Sequence, residues 1–256
     1  YYLSSFLFFF IIYIQRNIDV ELEKWRLLSS RKPLMLRGAR QVGKSSSVRN
    51  LGKKFNYFIE VNFDENPTYK TVFEQGLSLK EIVEQLSVLS NTPIKEGESL
   101  LFLDEIQSCE AAISSLRYFY EKMPNLHVVA AGSLLEFALV EIPSFGVGRV
   151  RSMFMYPFSF DEFLLAHKEN ALLNALVQAN EKSEFSALFH QKLKSYLKKF
   201  LIVGGMPEAV HTYVTKGDLL EVQHVLDDLI VSIQDDFVKY KTRVDSSRIR
   251  EVFNSV

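Results

Sequence analysis

The sequence predicts an α/β fold in which a three-layer core is followed by an all-helical domain. Short apolar runs alternate with helical patterns from about residue 15 to residue 168, as in a core of about five mainly parallel strands between helices. A glycine-rich loop joins the first of these runs to the next helix. From residue 169 to residue 256 the strand signals stop and helical periodicity continues.

The glycine-rich loop, Gly38–Ser45, matches the phosphate-binding pattern G-x-x-x-x-G-K-[ST]. Backbone N–H groups at a helix N-terminus bind phosphate, and the glycines allow its close approach. Lys44 can reach the β- and γ-phosphates, and the Ser45 hydroxyl can bind Mg²⁺. Residues 33–36 predict the buried strand that this motif requires, so the core is expected to be a P-loop NTPase core. The expected nucleotide-binding residues are Gly38, Ala39, Arg40, Gln41, Val42, Gly43, Lys44, Ser45 and Ser46.

The other core elements follow from local patterns around this loop. Ile18, Leu22 and Trp25 recur at helical spacing and predict an amphipathic helix before it. Residues 57–63 alternate like a strand. Further helices are expected after Asn66-Pro67, after the capping box that begins at Ser78, and after Ser108. Apolar runs predict three more strands, at 100–103, 128–131 and 153–155.

Two acidic residues follow the apolar run at 100–103. Asp104 ends the strand expected beside the loop, so its carboxylate is predicted to bind Mg²⁺ together with Ser45. Glu105 is predicted to be a catalytic group that polarises the attacking water. Both could instead be helix-start or surface charges, but the phosphate-binding loop upstream favours the functional interpretation.

Two further polar residues are candidate catalytic groups. Ser133 follows the run at 128–131, where its hydroxyl can hydrogen-bond the γ-phosphate or the water; a helix N-cap is the alternative. Arg149 follows Gly148 before the run at 153–155. We expect its guanidinium to contact a phosphate of its own chain, with a solvated surface position as the alternative.

The second domain is predicted to be entirely helical. Ser159 and Glu162 form another capping box, and apolar stripes within 189–200 and 219–233 predict two helices. The run Gly204-Gly205-Met206-Pro207 separates them.

Composition restricts the classes of partner. A net charge of -1 gives no electrostatic reason to expect a nucleic-acid or membrane-surface protein. The lysines within 192–199 are better explained as a solvated helix face than as a nucleic-acid contact. A single cysteine, Cys109, excludes an internal disulfide and is typical of a reducing cytosol, so a cytoplasmic location is expected.

Residues 1–14 are uncharged and strongly aromatic, and we expect them to be a hydrophobic leader outside the fold. The run is shorter than the roughly 20 residues that a membrane-spanning helix needs. A membrane anchor or a docked tail is the alternative. Residues 246–256 start a helical pattern without a partner, so 169–256 is expected to hold the helical domain and the start of a truncated C-terminal region.

Six motifs occur in one order along the chain. They are RGARQVGKS at 37–45, FLDEIQ at 102–107, AGSLLE at 131–136, YPFSF at 156–160, GGMPEAV at 204–210 and DFVKY at 236–240. The sequence resembles, from about residue 15 onward, the bacterial and archaeal AAA-like predicted ATPases, which are similar to the STAND type of signalling ATPase. Ser45 replaces the threonine usual there, and Gly146 replaces a proline in the arginine loop.

This resemblance implies an ATP-binding core, a helical lid and a further C-terminal nuclease-like domain, through which alone nucleic acid would be bound. It implies that Gly205, Met206 and Pro207 pack against adenine. In many AAA-type proteins the arginine enters a neighbour's site, which is a second alternative for Arg149.

The sequence therefore predicts an ATPase that needs ATP and Mg²⁺ and whose hydrolysis drives lid motion, controlling an unknown protein client or the C-terminal domain. The alternative is a nucleotide-dependent interaction module with little turnover. A membrane partner is not expected. Thr215-Lys216-Gly217-Asp218 matches a guanine-reading pattern, but it lies between helices instead of after a buried strand, so GTP is not the expected nucleotide.

Overall fold

The computed structural model describes residues 13–133, 148–179, 186–236, 251–252 and 255. Expectations about the leader up to residue 12, about Gly146 in the arginine loop and about the segment 237–250 concern residues outside these ranges.

The described residues form a five-stranded sheet of order β2-β3-β4-β1-β5, in which every pairing is parallel. The strands are β1 (Leu34–Arg37), β2 (Tyr57–Asn62), β3 (Ser99–Asp104), β4 (His127–Ala131) and β5 (Arg151–Phe154). The predicted α/β core with about five mainly parallel strands is thereby confirmed. Because the strands are parallel, the segments that follow β1, β3 and β4 leave the sheet at one edge, the usual place for ligands in such folds.

Helices cover both faces of the sheet and complete the predicted three layers. They are α1 (Asn17–Arg26), α2 (Lys44–Gly52), α3 (Thr68–Glu74), α4 (Leu79–Leu89) and α5 (Glu110–Lys122). Leu101 and Leu103 of β3 belong to the apolar cluster shared with α3, α4 and α5. Leu100 and Phe102 belong to the cluster on the other face, shared with Trp25 and the rest of α1 and α2. The alternation along β3 explains why its residues form an unbroken apolar run.

The helical domain comprises α6 (Phe160–Ala166), α7 (Asn170–Gln178), α8 (Ala187–Val203), α9 (Pro207–Lys216) and α10 (Leu219–Asp236). Its own apolar cluster joins Phe163 of α6 to Val203, Val210 and Val222. The core therefore ends near Phe158 and not at residue 168 as expected. The capping box at Ser159 correctly predicted the start of α6. It could not show whether the apolar face of α6 packs against the core or against the helical domain. No described helix is long and apolar enough to cross a bilayer.

Two residues of the expected leader are part of the folded body, which corrects the boundary at residue 14. The Tyr13 hydroxyl donates to the Asp19 carboxylate at 2.6 Å and lies 3.0 Å from the Ser47 hydroxyl. Burial and the bond to Asp19 raise the pKa of Tyr13. Ile14 packs against the apolar cluster of the helical domain. The apolar and aromatic composition of residues 1–14 did not distinguish Tyr13 and Ile14 from the residues before them.

Candidate nucleotide-binding site

A cleft of about 680 Å³ opens where β1, β3 and β4 end and α9 begins, a volume in the range of small-molecule sites. Eight predicted residues from three separate parts of the core and one from the helical domain line it. The lining residues are Arg40, Gln41, Gly43, Lys44, Ser45, Ser46, Glu105, Ser133, Pro207, Glu208, His211 and Thr212. The fold therefore brings together most of the side chains that the sequence singled out.

The conformation of the loop between β1 and α2 requires both of its glycines. Gly38 has φ 150° and Gly43 has φ 95°, a region that residues with a side chain rarely adopt. A Cβ at Gly38 would collide with the carbonyl oxygen of Met155, because the Met155 N–H binds the Arg37 carbonyl at 2.8 Å and holds the two segments together. Gln41 is also left-handed, with φ 61°.

Lys44 lies inside the bend of this loop. Its Nζ donates to the carbonyl oxygens of Gly38 at 2.9 Å and Ala39 at 2.8 Å. Burial lowers the pKa of Lys44, whereas the nearby carboxylates of Glu105 and Asp104 act in the opposite direction. The ammonium group is thus held beside the backbone N–H groups of the loop.

Val42 contributes to the loop differently from its neighbours. Its side chain is completely buried in the core, so only its backbone is available to the loop. Gln41 instead points toward the helical domain, with its Nε2 at 3.5 Å from the Ser232 hydroxyl of α10. Ala39 and Arg40 are exposed.

Ser45 and Asp104 meet at the ends of α2 and β3. The Ser45 hydroxyl donates to Asp104 Oδ2 at 2.7 Å. Burial raises the pKa of Asp104, and the bond from Ser45 partly offsets this rise. A hydroxyl and a carboxylate are oxygen donors of the kind that Mg²⁺ prefers, so this pair fits a magnesium ion.

Glu105 is held in an unusual backbone conformation directly after β3. Its φ of 50° lies in the left-handed region, which is uncommon for a residue with a side chain. Its carboxylate accepts a hydrogen bond from Gln107 Nε2 at 2.6 Å, and its N–H donates to Asp104 Oδ1 at 3.1 Å. Both bonds restrict the direction of the side chain. Sequence reasoning did not assign Gln107, although it is the last residue of the FLDEIQ motif.

Ser133 is buried and lies just after β4 at the wall of the cleft. The residues that follow it are outside the described ranges, so its alternative as a helix N-cap remains a prediction.

Arg149 lies away from the cleft. It comes two residues before β5, and β5 runs parallel to β1 with Arg151 opposite Leu34, the first residue of β1. It is therefore at the amino-terminal edge of the sheet, where its Nε pairs with Glu121 Oε1 at 2.5 Å and half of its side chain is exposed (51%). The expected contact with a phosphate of the same chain is wrong, because closeness in sequence to a glycine loop does not fix the edge of the sheet.

The run before α9 meets the cleft through Pro207. Gly205 and Met206 instead connect the helical domain to the core. The Gly205 carbonyl accepts from the Phe158 N–H at 2.6 Å. Met206 packs against the apolar cluster of α1 and α2 and against that of the helical domain. A Cβ at Gly205 would crowd the Phe158 carbonyl, so this position needs glycine for packing. Pro207 faces the cleft and is therefore placed to contact adenine as expected. Gly205 packs against Phe158 instead and does not line the cleft.

A smaller pocket of about 90 Å³ adjoins the cleft and shares Gly43, Ser46, Pro207 and His211 with it. Its other lining residues are Tyr13, Ile14, Arg16, Ser47 and Phe158. Sequence reasoning missed this pocket because its walls come from the segment before α1, from α2, from the segment after β5 and from α9. Only the aromatic character of Tyr13 and Phe158 could have suggested it.

Comparisons with known proteins agree with this geometry. A family model described as an AAA domain matches residues 30–164, which is more than half of the 256 residues. Among solved structures, the chain shares the fold of PCH-2 from C. elegans, with a TM-score of 0.50 and 12% identity over 84% of this chain and 70% of that chain. No curated protein matched. With the phosphate-binding loop inside the matched region, the chain belongs to the AAA domain family and has a nucleotide-binding, ATPase-like core.

Proposed function

We propose that the protein is a Mg²⁺-dependent ATPase whose hydrolysis is coupled to movement of the helical domain as a lid. The observation that carries this proposal is that Lys44, Ser45, Glu105 and Ser133 line one cleft that also includes the start of α9. The cleft thus contains a residue for phosphate (Lys44), one for the metal ion (Ser45) and one for the attacking water (Glu105). The helical domain, which would move, borders the same cleft through α9.

The phosphate-binding loop would hold the β- and γ-phosphates. Lys44 Nζ donates to two carbonyls of the loop, and phosphate oxygens would replace these acceptors without moving the aliphatic part of the side chain. Burial strengthens the attraction between the ammonium group and the phosphates because the local dielectric constant is low.

Ser45 and Asp104 would hold the magnesium ion. When bound, the ion neutralises charge on the β- and γ-phosphates. Asp104 must be ionised for this role, and the raised pKa makes its ionisation sensitive to acidic pH.

Glu105 would accept a proton from the water that attacks the γ-phosphorus. The bond from Gln107 leaves the second carboxylate oxygen, Oε1, for this water. Ser133 would orient the same water or the γ-phosphate through its hydroxyl, from the end of the neighbouring strand β4.

The base would occupy the smaller pocket. Tyr13, Ile14, Phe158 and Pro207 supply apolar and aromatic walls, and the shared residue Gly43 connects this pocket to the phosphate-binding loop. Packing and not charge would then select adenine, as expected from the resemblance, with Pro207 as the lid's contribution.

The alternative of a nucleotide-dependent interaction module is favoured by one observation. Arg149, the expected source of positive charge for the transition state, lies at the far edge of the sheet. A chain acting alone would then hydrolyse ATP slowly and act mainly by binding it, controlling a protein client or a further domain.

Steady-state ATP hydrolysis by the purified protein, compared with that of Glu105→Gln, tests the proposal. Turnover that depends on Mg²⁺ and is lost in the variant supports the ATPase. Tight ATP binding with equally slow turnover in both proteins would favour the interaction module.

A further inference from the structure

Arg16 is a buried charged residue that lines the smaller pocket and has no role in the proposed hydrolysis step. It immediately precedes α1, and only 5% of it is exposed. Its guanidinium forms hydrogen bonds in three directions: Nε donates to Glu162 Oε1 at 3.1 Å, Nη1 to the Val42 carbonyl at 3.0 Å and Nη2 to the Tyr156 carbonyl at 2.8 Å. Its Cζ atom also lies over the Phe158 ring, 3.9 Å from the ring centroid.

These partners belong to different parts of the molecule. Val42 is in the phosphate-binding loop, Tyr156 and Phe158 connect β5 to α6, and Glu162 is in the first turn of α6. Glu162 in turn accepts hydrogen bonds from the Asn17 N–H at 2.6 Å and the Ser159 N–H at 2.9 Å. One side chain thus ties the loop to the point where the helical domain leaves the core.

The bond to Val42 has a specific effect on the loop. In a trans peptide the C=O and the following N–H point in opposite directions. The Val42 carbonyl accepts from Arg16, so the N–H of Gly43 points away from Arg16, and Gly43 is one of the residues that line the cleft. The Val42 side chain is fixed in the core, which leaves Arg16 to set the rotation of this peptide.

We propose that Arg16 is a positioning residue for nucleotide binding: it orients the Val42–Gly43 peptide so that the Gly43 N–H faces the phosphates, and it connects this peptide to the root of the lid through Glu162. The inference rests on the proposed function. Arginine is required because its planar group serves three acceptors at once, whereas the single ammonium group of lysine cannot reach all of them.

The binding test compares Arg16→Lys with Arg26→Lys, a matched change on α1 whose arginine pairs with Glu23 away from the cleft. Calorimetry measures affinity for Mg–ATP and for Mg–tripolyphosphate, which has phosphates but no base. We expect Arg16→Lys to weaken both by a similar factor, about 10- to 100-fold, as for a lost charge-assisted hydrogen bond. Arg26→Lys should change neither affinity.

A second readout separates positioning from a general loss of structure. Glycine-selective ¹⁵N labelling gives few amide signals, because the chain has 11 glycines. In Arg16→Lys the Gly43 amide signal should shift while distant glycines such as Gly76 and Gly97 do not. If Arg16→Lys does not fold, Glu162→Gln replaces it, with a smaller shift of the same signal and a smaller loss of both affinities.

The outcomes are distinct. Unchanged tripolyphosphate affinity, or an unmoved Gly43 signal in the folded variant, would overturn the positioning role, even if ATP affinity falls through the base pocket. If the parent protein binds neither Mg–ATP nor Mg–tripolyphosphate, the proposed function fails, and this inference fails with it.

Discussion

The Ser45 hydroxyl and the Asp104 carboxylate are joined by a 2.7 Å hydrogen bond, although 59 residues separate them in the chain. Ser45 lies in the first turn of α2, the helix after β1, and Asp104 is the last residue of β3. The parallel pairing of β1, β4 and β3 brings the ends of these strands to one edge of the sheet. Burial of Asp104 gives the proposed metal site a pH dependence and a cost in stability, which the bond from Ser45 partly offsets.

Asp104→Asn should weaken Mg-dependent ATP binding, because an amide carries no charge to offset that of the metal ion. We expect a loss of roughly 10-fold or more, the scale of a lost hydrogen bond to a charged group. Binding measured with and without Mg²⁺ checks this. If the variant loses affinity equally with and without the metal, Asp104 is not a metal ligand.

The same variant should stabilise the nucleotide-free protein. Burial raises the pKa of Asp104, so this group favours folding most at pH below its unfolded pKa, and the contribution is lost as the pH rises through the raised folded value. Asp104→Asn removes that loss at pH 7. If the free energy of unfolding of Asp104→Asn at pH 7 exceeds that of the parent protein by about 1 kcal/mol, its melting temperature should be higher by about 2–4 °C. At acidic pH the difference between the two melting temperatures should be smaller. Asp228→Asn, on the exposed face of α10, is the control; a lower melting temperature for Asp104→Asn alone would contradict the prediction.

Lys44→Ala should abolish ATP binding, since the phosphates lose the cation that lies within the loop. Isothermal calorimetry with Mg–ATP measures this directly. A variant that binds ATP as well as the parent protein would remove Lys44 from the site.

Glu105→Gln should leave ATP binding intact and slow hydrolysis by roughly 10²–10⁴-fold, the usual contribution of a positioned acid–base group. The amide keeps the shape of the side chain but cannot accept a proton. Single-turnover hydrolysis and ATP affinity are measured together, with the exposed Glu84→Gln as control. Equal rates for parent and Glu105→Gln would show that another group activates the water.

Pro207→Ala should lower ATP affinity modestly and reduce the preference for ATP over GTP. Each buried methylene contributes about 0.8 kcal/mol, so the loss is expected to be roughly fourfold to tenfold. Competition binding with both nucleotides measures it, and Pro124→Ala, far from the cleft, serves as control. Identical affinities in parent and Pro207→Ala would exclude the lid from base recognition.

We predict that Arg149 acts in hydrolysis at the site of a neighbouring subunit. A mixture of Arg149→Ala and Lys44→Ala chains should then regain activity that neither variant has alone, because one chain supplies the arginine and the other an intact loop. An arginine at a phosphoryl transition state contributes roughly 10³–10⁵ in rate, so the recovery is measurable. A mixture that stays inactive would count against a shared site, and Glu121→Gln, which keeps the arginine, should need no complementation.

The phosphate-binding loop, the strand ending in Asp104 and the capping boxes could be predicted because each depends on residues close together in sequence. Gly38 and Gly43 indicate a loop with positive φ angles, and the unbroken apolar run before Asp104 indicates a strand that is buried on both faces. Ser45 and Asp104 could then be paired by the rule that parallel strands end at one edge.

The features that escaped prediction depend on contacts between distant segments. Arg16 finds its partners 26, 140 and 146 residues further along the chain, and nothing around it in sequence marks it as buried. Arg149 was assigned to the wrong edge because the direction of the segment before β5 is set by strand pairing. Tyr13 was set aside with an apolar leader because its bonds to Asp19 and Ser47 exist only in the folded chain.

The hydroxyl bonds of Tyr13 have a practical consequence for expressing this protein. A recombinant version trimmed to begin at Gln15, where amphipathic texture first becomes visible, would lose the phenol that bonds Asp19 and the aliphatic side chain of Ile14 that packs on the lid. Its phosphate-binding loop would be intact, yet two lining residues of the proposed base pocket, Tyr13 and Ile14, would be missing. We expect such a shortened protein to bind ATP more weakly than the protein that retains Tyr13 and Ile14.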